Sequence, residues 1–157
     1  MTYEDMAEMA TALTPMTPLL GLDLGTKTIG VAASDGLLTS ASPLKTLRRS
    51  KFGQDAEALL NLAKERQVCG IILGMPRNMD GSEGPRAQST RAFARNLSAI
   101  TELAIGFWDE RLSTVAAERA LLEADLTRKR RSEVIDSVAA AYILQGALDR
   151  LRYLREK

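Results

Sequence analysis

Three places in this 157-residue chain set carboxylates where their charge demands an explanation. Asp23 lies inside the apolar run Leu19-Leu20-Gly21-Leu22-Asp23-Leu24, where an unpaired charge is expensive. Asp109 and Glu110 close another apolar run, Ala104 to Trp108, and Asp136 falls four residues after Ser132 at the start of a helical pattern. Three or four carboxylates gathered in one crevice repel each other and are tolerated where divalent cations bind between them. Two such ions about 3.5 to 4 Å apart activate water on one side of a phosphodiester and stabilise the leaving oxygen on the other. The chain has no histidine and one cysteine, Cys69. Ser-His-Asp and Cys-His catalysis, imidazole proton shuttles and zinc sites built from His and Cys are thereby excluded. Carboxylate oxygens favour hard cations such as Mg²⁺ or Mn²⁺.

Each acid also has a plainer role available. Asp23 fits a hydrogen-bonded structural acid beside the Gly25 turn. Glu110 fits an ion pair with Arg111, worth little at a surface, and Asp136 fits an acid favoured by the dipole at a helix start. What separates the two readings is whether the acids converge.

The elements that would position them follow from periodicity. Leu19 to Leu24 and Thr28 to Ala33 read as a hairpin about the turn Gly25-Thr26-Lys27, and Leu37 to Leu47 offers a third strand blurred by Pro43. Gln54 to Arg66 has apolar residues at helical spacing, and Val68 to Met75 reads as a strand without a polar face, suited to a sheet covered on both sides. Pro76 to Gly84 is polar and turn-rich, and Pro85 suits the first turn of a helix running through Leu103. Ala104 to Trp108 is the fourth connected strand after the hairpin's two and the 68–75 run, giving five in all with the Pro43 segment. Ser113 or Thr114 can cap a helix over Val115 to Glu123, and Ser132 a long final helix to about Leu154. The order predicts an α/β fold: a mixed five-stranded sheet, an antiparallel meander followed by parallel strands, with helices on both faces. In such sheets ligands gather at the carboxyl ends of the strands, which is where the three acidic regions would meet.

Composition sets the surroundings. With 45% hydrophobic and 26% charged residues the chain is an ordinary globular protein, long enough for one domain with a sizeable core. A single cysteine excludes an internal disulfide framework, and residues 1–17 carry Glu4, Asp5 and Glu8 without Lys or Arg, unlike a signal peptide. A cytoplasmic protein is expected. The division is an acidic, flexible extension over 1–17 and one domain over 18–157. The net charge of +1 hides basic clusters at Arg48, Arg49 and Lys51 and at Arg128 to Arg131, of the kind that pair with phosphates or simply face solvent.

Gly21 to Thr28 is one residue short of a P-loop and has Thr26 between glycine and Lys27, so that motif is rejected. The same Asp-Leu-Gly-Thr is similar to the first phosphate loop of the actin-like ATPases, which clasp ATP between two such domains; this chain has length for one.

Four segments in order resemble the signatures of the YqgF/RuvX family. They are Leu22 to Ala32, Gly74 to Gly84, Asp109 to Thr114 and Asp136 to Gln145, so the resemblance covers roughly Leu19 to Leu151. It implies an RNase H-like fold and a nuclease that uses carboxylate-bound Mg²⁺ or Mn²⁺. The implied substrate is the 5′ end of pre-16S rRNA, met on the small-subunit precursor, or alternatively a Holliday junction in branched DNA. Carried onto this chain, the ligands are Asp23 from the first strand, Glu110 or its neighbour Asp109 from the fourth, and Asp136 from the final helix. Alternation puts only one of Asp109 and Glu110 into the crevice, and Glu110 is favoured. Expected substrate contacts are Lys27, Arg77, Asn78, Ser82 and Arg111, with 76–84 as a mobile loop beside the site. Junction cleavage would call for a homodimer, whereas rRNA trimming needs only a monomer.

Overall fold

Short aliphatic runs form the centre of the molecule, and polar turns separate them. The computed structural model describes residues 1–112 and 128–156, the side chains of 128–134 excepted. In chain order the elements are β1 (Thr2–Tyr3), α1 (Met6–Ala10), β2 (Leu19–Leu24), β3 (Thr28–Ser34), β4 (Ala41–Arg48), α2 (Phe52–Arg66), β5 (Gly70–Met75), α3 (Pro85–Ser98), β6 (Ala104–Asp109), a 3₁₀ turn (Glu110–Leu112) and α4 (Arg128–Arg155). The strands form one mixed sheet in the order β1-β6-β5-β2-β3-β4. β2, β3 and β4 make the antiparallel meander, and β2, β5, β6 and β1 run parallel to one another.

Strand alternation divides the core into two layers. Leu20, Leu22, Leu24, Ile71, Leu73, Ile105 and Phe107 face α2 and α3. Leu19, Ala32, Ile72 and Trp108 face the other way, onto Ala140, Ile143, Leu144 and Leu148 of α4 and onto Met6 and Met9. No polar face remains on β2 or β5, since each of their residues is buried. Among the described residues no helix is long and apolar enough to cross a membrane.

Five expectations change. Among the described residues the sheet has six strands, not five, because the leader adds β1, pairing Thr2 and Tyr3 with Ile105 and Gly106. The leader is docked over these residues: Asp5 caps α1 by accepting from Glu8 N at 2.8 Å, and Met6 and Met9 are 3% and 0% exposed. Apolar methionines spaced three apart on one helical turn bury together, a signal outweighed in the sequence by the acids around them. The third strand starts at Ala41 because Asp35 ties Thr39 and Ser40 into a preceding turn through their backbone N–H groups. Pro43 is accommodated in β4, an edge strand, beside a bulge opposite Val31 and Ala32. α3 stops at Ser98, short of Leu103. The final helix already includes Arg128 to Arg131, so Ser132 lies inside it and is not its cap. The cap at Ser113 or Thr114 and the helix over Val115 to Glu123 fall outside the described residues.

Candidate functional site

Asp23 is the only charged residue of β2 and is 3% exposed. By alternation it shares the α4 side of the sheet with Leu19, and its cross-strand partner on β3 is Gly30. A side chain at Gly30 would collide with α4: its Cβ would stand 1.9 Å from the backbone oxygen of Asp136. The missing side chain therefore lets the helix turn that carries Asp136 settle directly over the strand beside Asp23. Two residues earlier on the same face, Thr28 Oγ1 donates to Asp136 Oδ2 at 2.5 Å. That bond fixes the carboxylate of Asp136 toward the start of β3.

A second glycine stands on the other side of Asp23. Leu22 pairs with Leu73 on β5, so the following residues, Asp23 and Gly74, continue side by side on the α4 face. The space a Gly74 Cβ would fill is taken by Glu110 Oε1, 2.6 Å from that point, and by Ile143 of α4. Glu110 comes from the turn after β6, two strands from β2 and hence roughly 10 Å across the sheet. Its long side chain spans much of that gap by lying over the bare backbone of Gly74. Asp23, Asp136 and Glu110 are thus brought to one face around two glycines.

Asp109 is turned away. It has the parity of Ile105 and Phe107, which face α3, and its carboxylate accepts from Arg111 Nη2 at 2.7 Å and from Arg77 Nη1 at 3.1 Å. The Arg111 guanidinium, with Arg77 in support, holds the Asp109 carboxyl down from its ordinary 3.8 to about 2. Among the described residues no three His, Cys, Asp or Glu side chains form a group that could hold a metal ion by themselves. Asp136 is drawn toward Thr28, and Glu110 arrives from two strands away.

The expected substrate contacts fare differently from one another. Arg77 is engaged by Asp109, by Glu83 at 3.2 Å and by Glu4 at 3.9 Å. Arg111 grips Asp109 and reaches Met79 O at 3.5 Å. Asn78 and Ser82 bond each other: Asn78 N donates to Ser82 O at 2.9 Å and Nδ2 to Ser82 Oγ at 3.0 Å. Asp80 accepts from Ser82, and Gly81 takes φ +89°, the left-handed turn that glycine permits. The 76–84 loop therefore closes on itself. Lys27 is exposed on the β2–β3 turn.

Sequence reasoning missed Thr28, Gly30 and Gly74 as parts of this site, though period two counted from Ala32 and Ile72 places all three on the α4 face. It also missed the clamp behind the loop. Glu83 accepts from Arg91 at 2.5 and 2.6 Å, and Arg91 in turn holds Glu4 of the leader. The Arg91 and then Arg77 hydrogen bonds bring the Glu83 carboxyl from 4.5 to about 2.

A family model described as RuvX, Holliday junction resolvase, matches residues 17–150. The chain belongs to the RuvX family. Two curated relatives, from Ruegeria pomeroyi and from Jannaschia sp., are 71% and 70% identical; the alignments cover 98% and 99% of this chain and 100% and 99% of theirs. Both carry the name "Putative pre-16S rRNA nuclease". With that coverage, most of the leader lies inside the aligned region although the RuvX model begins at residue 17. A solved structure, T. thermophilus RuvC in complex with a Holliday junction substrate, superposes with a TM-score of 0.53 over 85% of this chain and 95% of that one, at 11% identity. At that identity the likeness speaks for the fold, an RNase H-like one, and not for the chemistry. The names borne by RuvX relatives are those of nucleases, and nucleic acid is the class of partner that membership carries.

Proposed function

We propose that this RuvX chain is a divalent-metal-dependent nuclease that processes the 5′ end of pre-16S rRNA in the cytoplasm, on the small-subunit precursor. The observation that supports it is the gathering of Asp23, Asp136 and Glu110 on one face around Gly30 and Gly74. Hard carboxylate oxygens fit Mg²⁺ or Mn²⁺, and Mg²⁺ in phosphoryl sites is commonly held by one or two carboxylates together with substrate phosphate oxygens. A closed cage of three acids is not required for that mode of binding.

Asp23, Glu110 and Asp136 would hold the cation. When bound, it supplies activation of water and neutralisation of charge on the phosphate. The residues of the chain do the positioning. The rigid strand fixes Asp23, the Thr28 hydroxyl sets the rotamer of Asp136, and the bare backbone of Gly74 leaves room for Glu110 to lie toward Asp23. Burial of Asp23 at 3% exposure keeps bulk water from competing at the base of the crevice.

The description of the RuvX model favours a second substrate, the Holliday junction, for the same site. Wild type and Asp23→Asn are incubated with a precursor rRNA 5′ leader and with a four-way junction, in Mn²⁺ or in chelator. The expected result is rRNA cleavage by wild type with Mn²⁺ and loss of cleavage in the variant and in chelator. Cleavage that survives either change rejects the metal mechanism, and preference for the junction reassigns the substrate. Salt-sensitive binding without turnover under any metal condition would instead indicate a non-catalytic binding module.

A further inference from the structure

The arginines near the strand ends divide into two groups by what they touch. Arg77, Arg91 and Arg111 are committed to Asp109, Glu83 and Glu4, three cations against three anions. Arg49 and Arg86 are held differently. Arg49 Nη1 donates to the carbonyl oxygen of Gly25 at 2.7 Å, and its guanidinium lies 5.9 Å from the centre of the Phe93 ring. Arg86 Nη2 donates to the carbonyl oxygen of Leu24 at 3.2 Å. Among the described residues neither arginine is in an ion pair.

Both arginines line one cleft of about 220 Å³, together with Gly25, Thr26, Ser89 and Thr90, and among the described residues no Asp or Glu lines it. The cleft opens at the β2–β3 turn, immediately after Asp23, on the α3 side of the sheet. A backbone carbonyl fixes the direction of a guanidinium without neutralising it, and each fork keeps further N–H donors for a second partner. Two oriented cations and the hydroxyl residues Thr26, Ser89 and Thr90, with no competing carboxylate among the described residues, make a site for a phosphate diester.

We infer that the cleft of Arg49 and Arg86 binds a backbone phosphate of the nucleic-acid strand on the far side of the β2–β3 turn from Asp23, after the strand has left the α4 face where the bond is cut. The strand then runs over the β2–β3 turn toward α3, not across the 76–84 loop, whose one cation, Arg77, already has anionic partners. The choice of polymer rests on the nuclease reading above; the phosphate site rests on the cleft.

The test is binding of a short fluorescent single-stranded RNA by the full chain carrying Asp23→Asn, followed by anisotropy through a salt series. Each backbone phosphate contact on a single strand contributes about 0.7 to the slope of log affinity against log salt. The R49Q/R86Q variant should lose about 0.7 or more of that slope, R49K/R86K should keep it, and R77Q should leave it unchanged. R86Q alone, which leaves the Arg49 anchor on Gly25 in place, gives the same reading if the double variant does not fold; thermal melting of each variant checks this. An unchanged slope in a folded R86Q or R49Q/R86Q overturns the cleft alone. Absence of RNA binding at every salt concentration overturns both the cleft and the nuclease reading.

Discussion

Asp109 and Glu110 are adjacent in sequence and opposite in placement. Asp109 is clamped by Arg111 and Arg77, whereas Glu110 lies over Gly74 toward Asp23. Glu110→Gln should therefore reduce cleavage by more than about 100-fold, the upper range for losing even an outer-shell partner of a metal. Asp109→Asn should retain turnover and change acid stability instead. The sign follows from its lowered pKa: the ionised carboxylate stabilises the fold above its ordinary 3.8, and the contribution disappears as pH falls toward about 2. Urea unfolding from pH 5 downward should show a shallower acid loss for Asp109→Asn than for wild type. Equal pH dependence, or a cleavage loss as deep as that of Glu110→Gln, would contradict this division. Asp23 and Glu110 stand out in the sequence because charge inside or at the end of an apolar run is conspicuous, and Asp136 because it follows a helix-start signal. Thr28 does not, because a threonine in a strand is ordinary until the helix opposite it is known.

At the scale of elements, the site depends on how closely α4 approaches the sheet. The contact at Gly30 is with helix backbone, which cannot rotate aside as a side chain can. Gly30→Val should cost about 1–3 kcal/mol or more by overpacking and should also lift Asp136 away from Asp23. Chemical denaturation and metal-dependent cleavage read the two effects together; a fully stable, fully active variant would mean that α4 does not need this approach. Most elements were legible from periodicity, since β2, β3, β5 and β6 are short apolar runs bounded by turns. Errors fell where a local side-chain bond or a neighbouring element decides the boundary. Asp35 delays β4 by bonding Thr39 and Ser40, and Ser132, a residue type that favours helix caps, sits within α4.

For the whole molecule, the leader is the largest departure from what composition suggested. It reads as an acidic, flexible extension, yet Glu4 pairs with Arg91 while Met6 and Met9 enter the core. Full burial of a methionine is worth about 1.5–3 kcal/mol, an upper estimate because unfolded chains are partly compact. A chain beginning at Met16 should accordingly unfold at least about 2 kcal/mol more easily, measured by urea titration, and unchanged stability would show the docking to be dispensable. The layer order and strand directions were legible because connections in such folds follow few routes. A two-residue strand was not, being too short to carry a period. That short strand also has a meaning for self-association. One margin of the sheet ends in the Thr2–Tyr3 pair, and the other in β4 with its proline, its bulge, Lys45 and Arg48. Among the described residues neither margin is a long, uninterrupted strand, which makes the sheet a poor template for strand addition. Copies that meet in solution would find, among the described residues, an edge that is short on one side and broken by proline and a bulge on the other.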